Sequence, residues 1–239
     1  MITIGIITNS IFDNAHLNAM VDTIECRDDV EVLIVGGDPL SDLAQQAYEG
    51  TFLRHISFDE TQTPKAWITR KKNLITQNAT YDTIVYAHDY FLFSSNWLDS
   101  FKSFIDTVPF DVATCRILTA EGKRHSDWVV DPFLLWKEFP ELNGTCWNVL
   151  LPYHVNYTPI QYISGNFWVA KKQFMLDNPL DESLLWGDAE DIEWSSRIRS
   201  HTTFQCNMFT DVTIQKTGKW APETIAPEHL ATLKLRYNL

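Results

Sequence analysis

The sequence predicts an α/β fold, a three-layer sandwich in which helices cover a mostly parallel central sheet. Three observations predict it. Ile2–Thr8 and Val30–Val35 are apolar runs of the kind that form strands buried on both faces. Between them, from about Asn14 to Cys26, Leu17, Met20, Val21 and Ile24 recur with helical spacing, which completes a βαβ unit. The 239 residues are 45% apolar and 13% aromatic, enough for a sizeable core and against disorder.

The remaining elements follow in order. Phe52–Phe58 reads as a short strand. Thr63-Pro64 opens a helix with proline at its first position, running from Lys65 to about Ala79. Tyr81–Phe91 holds an apolar strand that ends on His88-Asp89. Ser95-Asn96 caps a helix to about Asp106 whose core face is Trp97, Phe101, Phe104 and Ile105, and Phe110–Leu118 is another strand. Residues 119–160 mix tryptophans, other aromatics and prolines without a clear period; most of the aromatics fit ordinary core, with a few left for an acceptor site. Gln161–Ala170 alternates like a strand, and Lys171–Asp177 is a short helix. A further helix runs to about Ser200, Thr203–Phe209 and Val212–Gln215 are late strands, and Pro227–Leu235 forms a last helix.

Composition narrows the function. A net charge of −12 disfavours a broad nucleic-acid or anionic-membrane surface. No long uncharged apolar run suggests a transmembrane helix, and the first residues lack the basic region of a signal peptide. Cys26, Cys115, Cys146 and Cys206 are far apart and form no C-x-x-C, so reduced thiols in a cytoplasm are expected. A single domain spans 1–239, and homo-oligomerisation is left open.

In a βαβ architecture, ligands bind beyond the carboxyl ends of the strands. Asn9 and Asp38 fall in that crevice, although Asp38 before proline is equally a plain turn acid. Lys65, Arg70, Lys71 and Lys72 form a basic cluster against the global sign, suited to an anion such as a diphosphate or simply to a solvated face. His88-Asp89 at a strand end suits a divalent cation, and Gly165 allows close approach of a ligand or backbone. The densest stretch is 179–197, with six carboxylates, two tryptophans and a glycine in nineteen residues. Crowded carboxylates shift one another's pKa, which a general base requires. Asp188, Glu190 and Asp191 also read as a cap and an acidic first turn, and Glu193 and Arg197 as an i,i+4 pair.

These residues together resemble the nucleotide-sugar glycosyltransferases of the GT-A fold, especially the large inverting group. The resemblance covers nearly the whole chain. It rests on Thr8-Asn9 after the first strand, Asp38 after the second, Lys72-Asn73, His88-Asp89-Tyr90 where the family carries its DxD, and Ser164-Gly165-Asn166. Leu180-Asp181-Glu182…Glu190-Asp191-Ile192-Glu193…Arg197 completes it and is its most specific part. Trp186-Gly187 is similar to the W-G-G-E-D of β-1,4-galactosyltransferases.

The resemblance implies a nucleotide-binding half at 1–118 and an acceptor-binding half at 119–239. It implies transfer of a hexose from a nucleotide-diphospho-sugar, with UDP the expected nucleotide, to a hydroxyl of a glycan or other acceptor. Asp191 would be the general base and Glu190 would bind donor or acceptor hydroxyls. Thr8, Asn9, Asp38, Lys72, Asn73, His88, Gly165, Asn166, Trp186 and Lys216 would contact substrate, and Asp89 with His88 would hold Mn2+ or Mg2+. The DxD here keeps one acid, and Lys216 stands near the position of the family's late metal-binding histidine. The cation and a lysine-compensated, metal-independent site are therefore both open, as is a non-catalytic sugar- or nucleotide-binding scaffold. A nucleotidyltransferase fits less well, because Asn9–Asp13 is neither glycine-rich nor basic.

Overall fold

A computed structural model describes residues 1–11, 14–37, 53–153, 155–215 and 222–239. Asp38, Phe52 and Lys216 lie outside the described residues.

Eight strands form the main sheet. They are β1 (Ile2–Ile7), β2 (Val30–Val35), β3 (Leu53–Ile56), β4 (Thr83–His88), β5 (Phe91–Phe93), β6 (Val112–Thr119), β10 (Phe167–Lys171) and β11 (Phe204–Ile214), in the order β3-β2-β1-β4-β10-β6-β11-β5. β1 pairs in parallel with both β2 and β4, and β6 with β11. β10 is antiparallel to β4 and β6, and β5 to β11, so the other six strands share one direction. A smaller sheet, ordered β12-β8-β7-β9, joins β7 (Val129–Val130), β8 (Val149–Leu150), β9 (Gln161–Tyr162) and β12 (Glu223–Thr224).

Strand alternation splits the apolar side chains between two cores. Ile4, Ile6, Val32, Ile34 and Val85 pack with Leu17 and Met20 of α1 (Ala15–Asp22) and with Trp97 and Phe101 of α3 (Trp97–Thr107). Ile7, Leu33, Val35, Ile84 and Tyr86 pack on the opposite side. There they meet Ile68 and Ile75 of α2 (Ile68–Asn78), Met175 of α5 (Lys172–Asp177), and Trp194 and Ile198 of α6 (Glu190–Ile198). These are the three layers expected from the sequence. α4 (Pro132–Glu138) and α7 (Pro227–Tyr237) complete the helices, each with proline in its first turn.

Several boundaries differ from the sequence reading, each for a local reason. α2 starts at Ile68 rather than beside Pro64, because the Ala66 carbonyl accepts from the Trp186 N–H at 3.0 Å and cannot start a helical ladder. The expected strand 161–170 breaks at Ser164-Gly165-Asn166, where Ile163 N–H donates to Ser195 Oγ and Gly165 N–H to Asp191 Oδ2. The two late strands are one, β11, with an irregularity: Asn207 pairs with Cys115 and Asp211 with Arg116, leaving 208–210 unopposed. Asn96 turns toward that bulge, donating to the Phe209 carbonyl and accepting from Thr210, instead of capping α3 with its side chain. In 119–160, Trp128 and Tyr157 enter the core, while Phe133, Trp136 and Trp147 stack edge to face on one another nearer the surface.

Candidate active site

Parallel pairing brings the ends of β1, β2 and β4 to one level, with Ile7 beside both Val35 and His88. The chain therefore leaves each strand at the same edge. Thr8 lands next to Asp89, and its Oγ1 donates to Asp89 Oδ2 at 2.6 Å. Asn14 Nδ2 donates to the same oxygen at 2.8 Å while its Oδ1 caps α1. Gly36 follows β2 with φ +136°, and a Cβ there would sit 1.8 Å from the Thr8 carbonyl oxygen, so only glycine lets these ends close.

A cleft of about 680 Å³ opens at this edge. Thr8, Asn9, His88, Asp89, Asn166 and Trp186 line it, so six sequence-predicted site residues from four separate stretches share one wall. Trp186 is 61% exposed, and its backbone N–H is pinned to Ala66. Lining residues given no site role from the sequence include Asn14, His16 and His125. His125 is buried with Nδ1 lacking a hydrogen-bond partner among the described residues. It lies in the aperiodic stretch, where pattern gives no signal.

Behind the wall at Gly165-Asn166 stand the two acids. Asp191 Oδ2 accepts from the Gly165 N–H at 2.7 Å and Oδ1 from the Ile192 N–H at 2.9 Å. A Cβ on Gly165 would come within 3.1 Å of Asp191 and 3.2 Å of Glu190 Oε1. α6 begins after Ala189 in the left-handed region, φ +61°, a conformation uncommon for alanine. Asp188, expected as the cap, instead accepts from Lys65 at 2.6 Å and from the Leu185 N–H at 3.0 Å. The i,i+4 pair of Glu193 and Arg197 forms at 3.0 Å.

Burial, reinforced by the neighbouring Asp191 charge, pushes Glu190 up to about 7, although Lys72 opposes the shift. Burial also raises Asp191, while the Gly165 N–H and the Lys72 ammonium pull it back. The helix N-terminus favours ionised acids here, yet desolvation outweighs it.

The basic cluster is used inside the protein. Lys65 pairs with Asp188 and Arg70 with Glu182 at 2.5 Å. Lys71, which the sequence reading placed in the basic cluster, is buried. It donates to the Thr8 carbonyl and to Asn9 Oδ1, each at 2.8 Å, and pairs with Glu60 at 2.6 Å. Burial lowers its pKa against the pull of Glu60. Lys72 is 1% exposed and donates to the Gly165 carbonyl at 2.5 Å, so it sits behind the wall rather than in the cleft. Asn73 turns to the loop after α5, exchanging hydrogen bonds with the Leu180 N–H and C=O.

Among the described residues that line the cleft, Asp89 is the acid a divalent cation would meet. Asp89 Oδ2 is occupied by Thr8 and Asn14, which leaves Oδ1. His88 is held as a neutral imidazole, the form in which histidine ligates a metal. Burial, then Lys72 and Lys71, hold its pKa well below the usual histidine range, and the Gly165 carbonyl pulls the other way. Among the described residues no three His, Cys, Asp or Glu side chains converge. A hard cation takes most of its ligands from phosphate and water, so a single acid fits that chemistry and Asp89 is the residue that would hold it.

Neither a protein-family model nor a curated protein sequence matches the chain. Solved structures do. The structure of GalNAc-T7 with UDP, GalNAc and Mn2+ matches at TM-score 0.62 and 12% identity, covering 99% of this chain and 47% of that one. The mannosyltransferase PcManGT from Pyrobaculum calidifontis, with GDP-Man and Mn2+, matches at TM-score 0.55 and 13% identity over 91% of this chain and 57% of that one. S. aureus TarS 1-349 with UDP matches at TM-score 0.53 and 10% identity over 97% and 62%. The fold is thus the GT-A fold. The chain spans less than two thirds of each of these three proteins. No helix among the described residues is long and apolar enough to cross a membrane.

Proposed function

We propose that the chain is an inverting glycosyltransferase that moves a hexose from a nucleotide-diphospho-sugar, with UDP the expected nucleotide, to a hydroxyl of a glycan acceptor. One observation carries this reading: Asp191, next to Glu190, accepts from the Gly165 N–H, and Gly165's neighbour Asn166 lines the cleft at the strand ends. A ligand crevice and a carboxylate with shifted proton affinity are thereby one residue apart. The structural neighbours, solved with UDP or GDP-Man, and in two cases Mn2+, support the same reading.

In the reaction, the acceptor oxygen attacks the anomeric carbon as its proton passes to Asp191. The bond from that carbon to the diphosphate breaks, and its electron pair leaves with the phosphate. Asp191 is the base, kept ionised and oriented by two backbone N–H groups, and Glu190 binds a sugar hydroxyl. Thr8 and Asn9 contact the nucleoside, with Asp38 continuing that contact from the second strand end, and Trp186 walls the sugar. A cation on Asp89 would neutralise charge on the leaving diphosphate; Lys216 is the alternative source of that charge. The cytoplasm is the proposed compartment.

The single available carboxylate oxygen at Asp89 favours one second reading, a nucleotide-sugar-binding scaffold without catalysis. Thermal-shift binding of UDP, GDP, CDP and dTDP, each with Mn2+ and with EDTA, followed by a transfer and hydrolysis assay, separates the two. Binding with turnover supports the transferase, and binding without turnover from any donor supports the scaffold.

A further inference from the structure

Lys72 stands out among the buried cations. Its ammonium meets a carbonyl oxygen and the face of Trp168, 4.4 Å from the ring centroid, rather than a carboxylate in contact. Burying an ammonium in this way is costly unless its field acts on something nearby. Burial lowers its pKa to about 8, and the charges of Glu190 and Asp191 oppose the shift. Those two acids lie across Gly165, whose C=O Lys72 holds and whose N–H Asp191 holds.

We propose that Lys72 is the positioning residue of the acid pair: it fixes Gly165 from behind the wall and keeps one negative charge on Glu190 and Asp191, resting on Asp191. The assignment rests on reading that pair as the site of the base. Three facts support it. Two adjacent carboxylates in a desolvated site resist double ionisation, so one proton stays with the pair. The Lys72 cation favours the ionised form of both acids and so opposes a second proton on the pair. The Gly165 and Ile192 N–H groups then place the charge on Asp191 and leave the proton on Glu190, which lowers the pair's demand for a further partner. Lys72 and Asn73 are adjacent on α2 and are used differently: Lys72 donates to the Gly165 carbonyl, whereas Asn73 donates to the Leu180 carbonyl.

Other charged groups reach the same spot and set the background. His88 from β4 is held neutral beside Lys72, Tyr162 from β9 is pushed well above its ordinary value by burial and by Asp191, and Asp188 adds a small repulsion on Glu190. Lys71, the residue before Lys72 on α2, also acts on His88. Among these, Lys72 is the group whose charge favours ionisation of both acids.

The test is a carbon-13 carboxyl titration of the intact chain, with Glu190 and Asp191 assigned by Glu190→Gln and Asp191→Asn. In the wild type, Asp191 is expected to ionise first and Glu190 near neutrality. In Lys72→Met the first ionisation should rise by about one pH unit, a tenfold change in proton affinity, and Lys72→Arg should restore most of it. Both acids ionising together below pH 4.5 in the wild type, or an unmoved titration in folded Lys72→Met, overturns the proposal; the wild-type arm decides even if the Met variant does not fold. Kinetics gives a second readout: Lys72→Met should shift the acid limb of kcat upward by the same amount and leave KM for the donor unchanged. A wild type that titrates as expected but transfers no sugar defeats the functional reading alone. A wild type that transfers sugar while Lys72→Met titrates unchanged defeats only the role of Lys72.

Discussion

Thr8 and Asp89, 81 residues apart in sequence, are joined by a 2.6 Å hydrogen bond at the edge where β1 and β4 end. Asn14 shares the same carboxylate oxygen, so one acid ties the first strand, the first helix and the fourth strand together. Thr8→Val removes the hydroxyl and leaves Asn14 alone on Asp89. A hydrogen bond to a charged, half-buried group contributes about 1.5–3 kcal/mol. At about 2–4 °C per kcal/mol for a domain this long, Tm should fall roughly 3–12 °C. Nucleotide-induced stabilisation should fall with it, because Thr8 itself lines the cleft. An unchanged Tm would show that the bond is absent in solution.

Asp191→Asn removes the base but keeps an oxygen to accept from the Gly165 N–H. Turnover should drop by about 10²–10⁴, the usual contribution of a positioned base, with nucleotide binding retained. Transfer assays with the donor found by thermal shift measure this. Turnover equal to wild type would move the base elsewhere, with Glu190→Gln the next variant to assay.

Much of this site was legible in the sequence because it is built from strand ends. A buried parallel strand announces itself as an apolar run, and the residues just past it are fixed at one edge by register. Thr8, Asn9, His88 and Asp89 were found in that way. Lys72 was identified but misplaced, since helical periodicity gives a face and not the depth at which a long side chain ends. Burial on α2 takes in Ile68, Lys71, Lys72 and Ile75, and Gly5 lets the helix approach β1 closely: a Cβ on Gly5 would be 2.3 Å from Ile75 Cγ2. Asp188 looked like a cap because its type and spacing fit; the competing bonds from Lys65 and Leu185 come from 123 and 3 residues away, and only the first is invisible to local reasoning. His125 was missed because a histidine between two aperiodic stretches carries no pattern.

Gly165→Ala tests how tightly the wall is packed. The added Cβ would meet Asp191 Cβ and Oδ2 at 3.1 Å and Glu190 Oε1 at 3.2 Å, closer than ordinary contact. The backbone conformation is open to alanine, so the strain falls on the two acids. Stability should fall by less than the roughly 1–3 kcal/mol typical of overpacking in a rigid core, since carboxylates on a helix end can shift. Turnover should fall at least tenfold, because the base moves relative to the cleft. Full activity with the methyl group in place would show that the acids and the wall are not held together.

Trp186→Ala should behave in the opposite way. The side chain is 61% exposed and its backbone bond to Ala66 survives the change, so stability should stay within about 0.5 kcal/mol of wild type. If the indole walls the sugar, kcat/KM should fall about tenfold, equivalent to about 1.4 kcal/mol of transition-state stabilisation. Steady-state kinetics at saturating and limiting donor separates this from a binding-neutral surface change, which would leave both constants untouched.

Glu190 links the site to stability. Its carboxyl ionises near 4.5 in the unfolded chain and about 7 in the folded protein, chiefly through burial. Between those values the folded state binds a proton that the unfolded state has released. Stability from this group is therefore complete below pH 4.5 and is lost as pH rises through about 7. Glu190→Gln removes the titration. The variant should match the wild type near pH 4.5 and exceed it at pH 8 by about 1–2 kcal/mol, less than the full shift implies because the amide forgoes the attraction of Lys72. That corresponds to a Tm roughly 2–8 °C higher at pH 8. Thermal melts of both proteins across this range measure it. A variant no more stable than wild type at pH 8 would mean that Glu190 is ionised in the folded protein at little cost, and that the acid pair carries two charges rather than one.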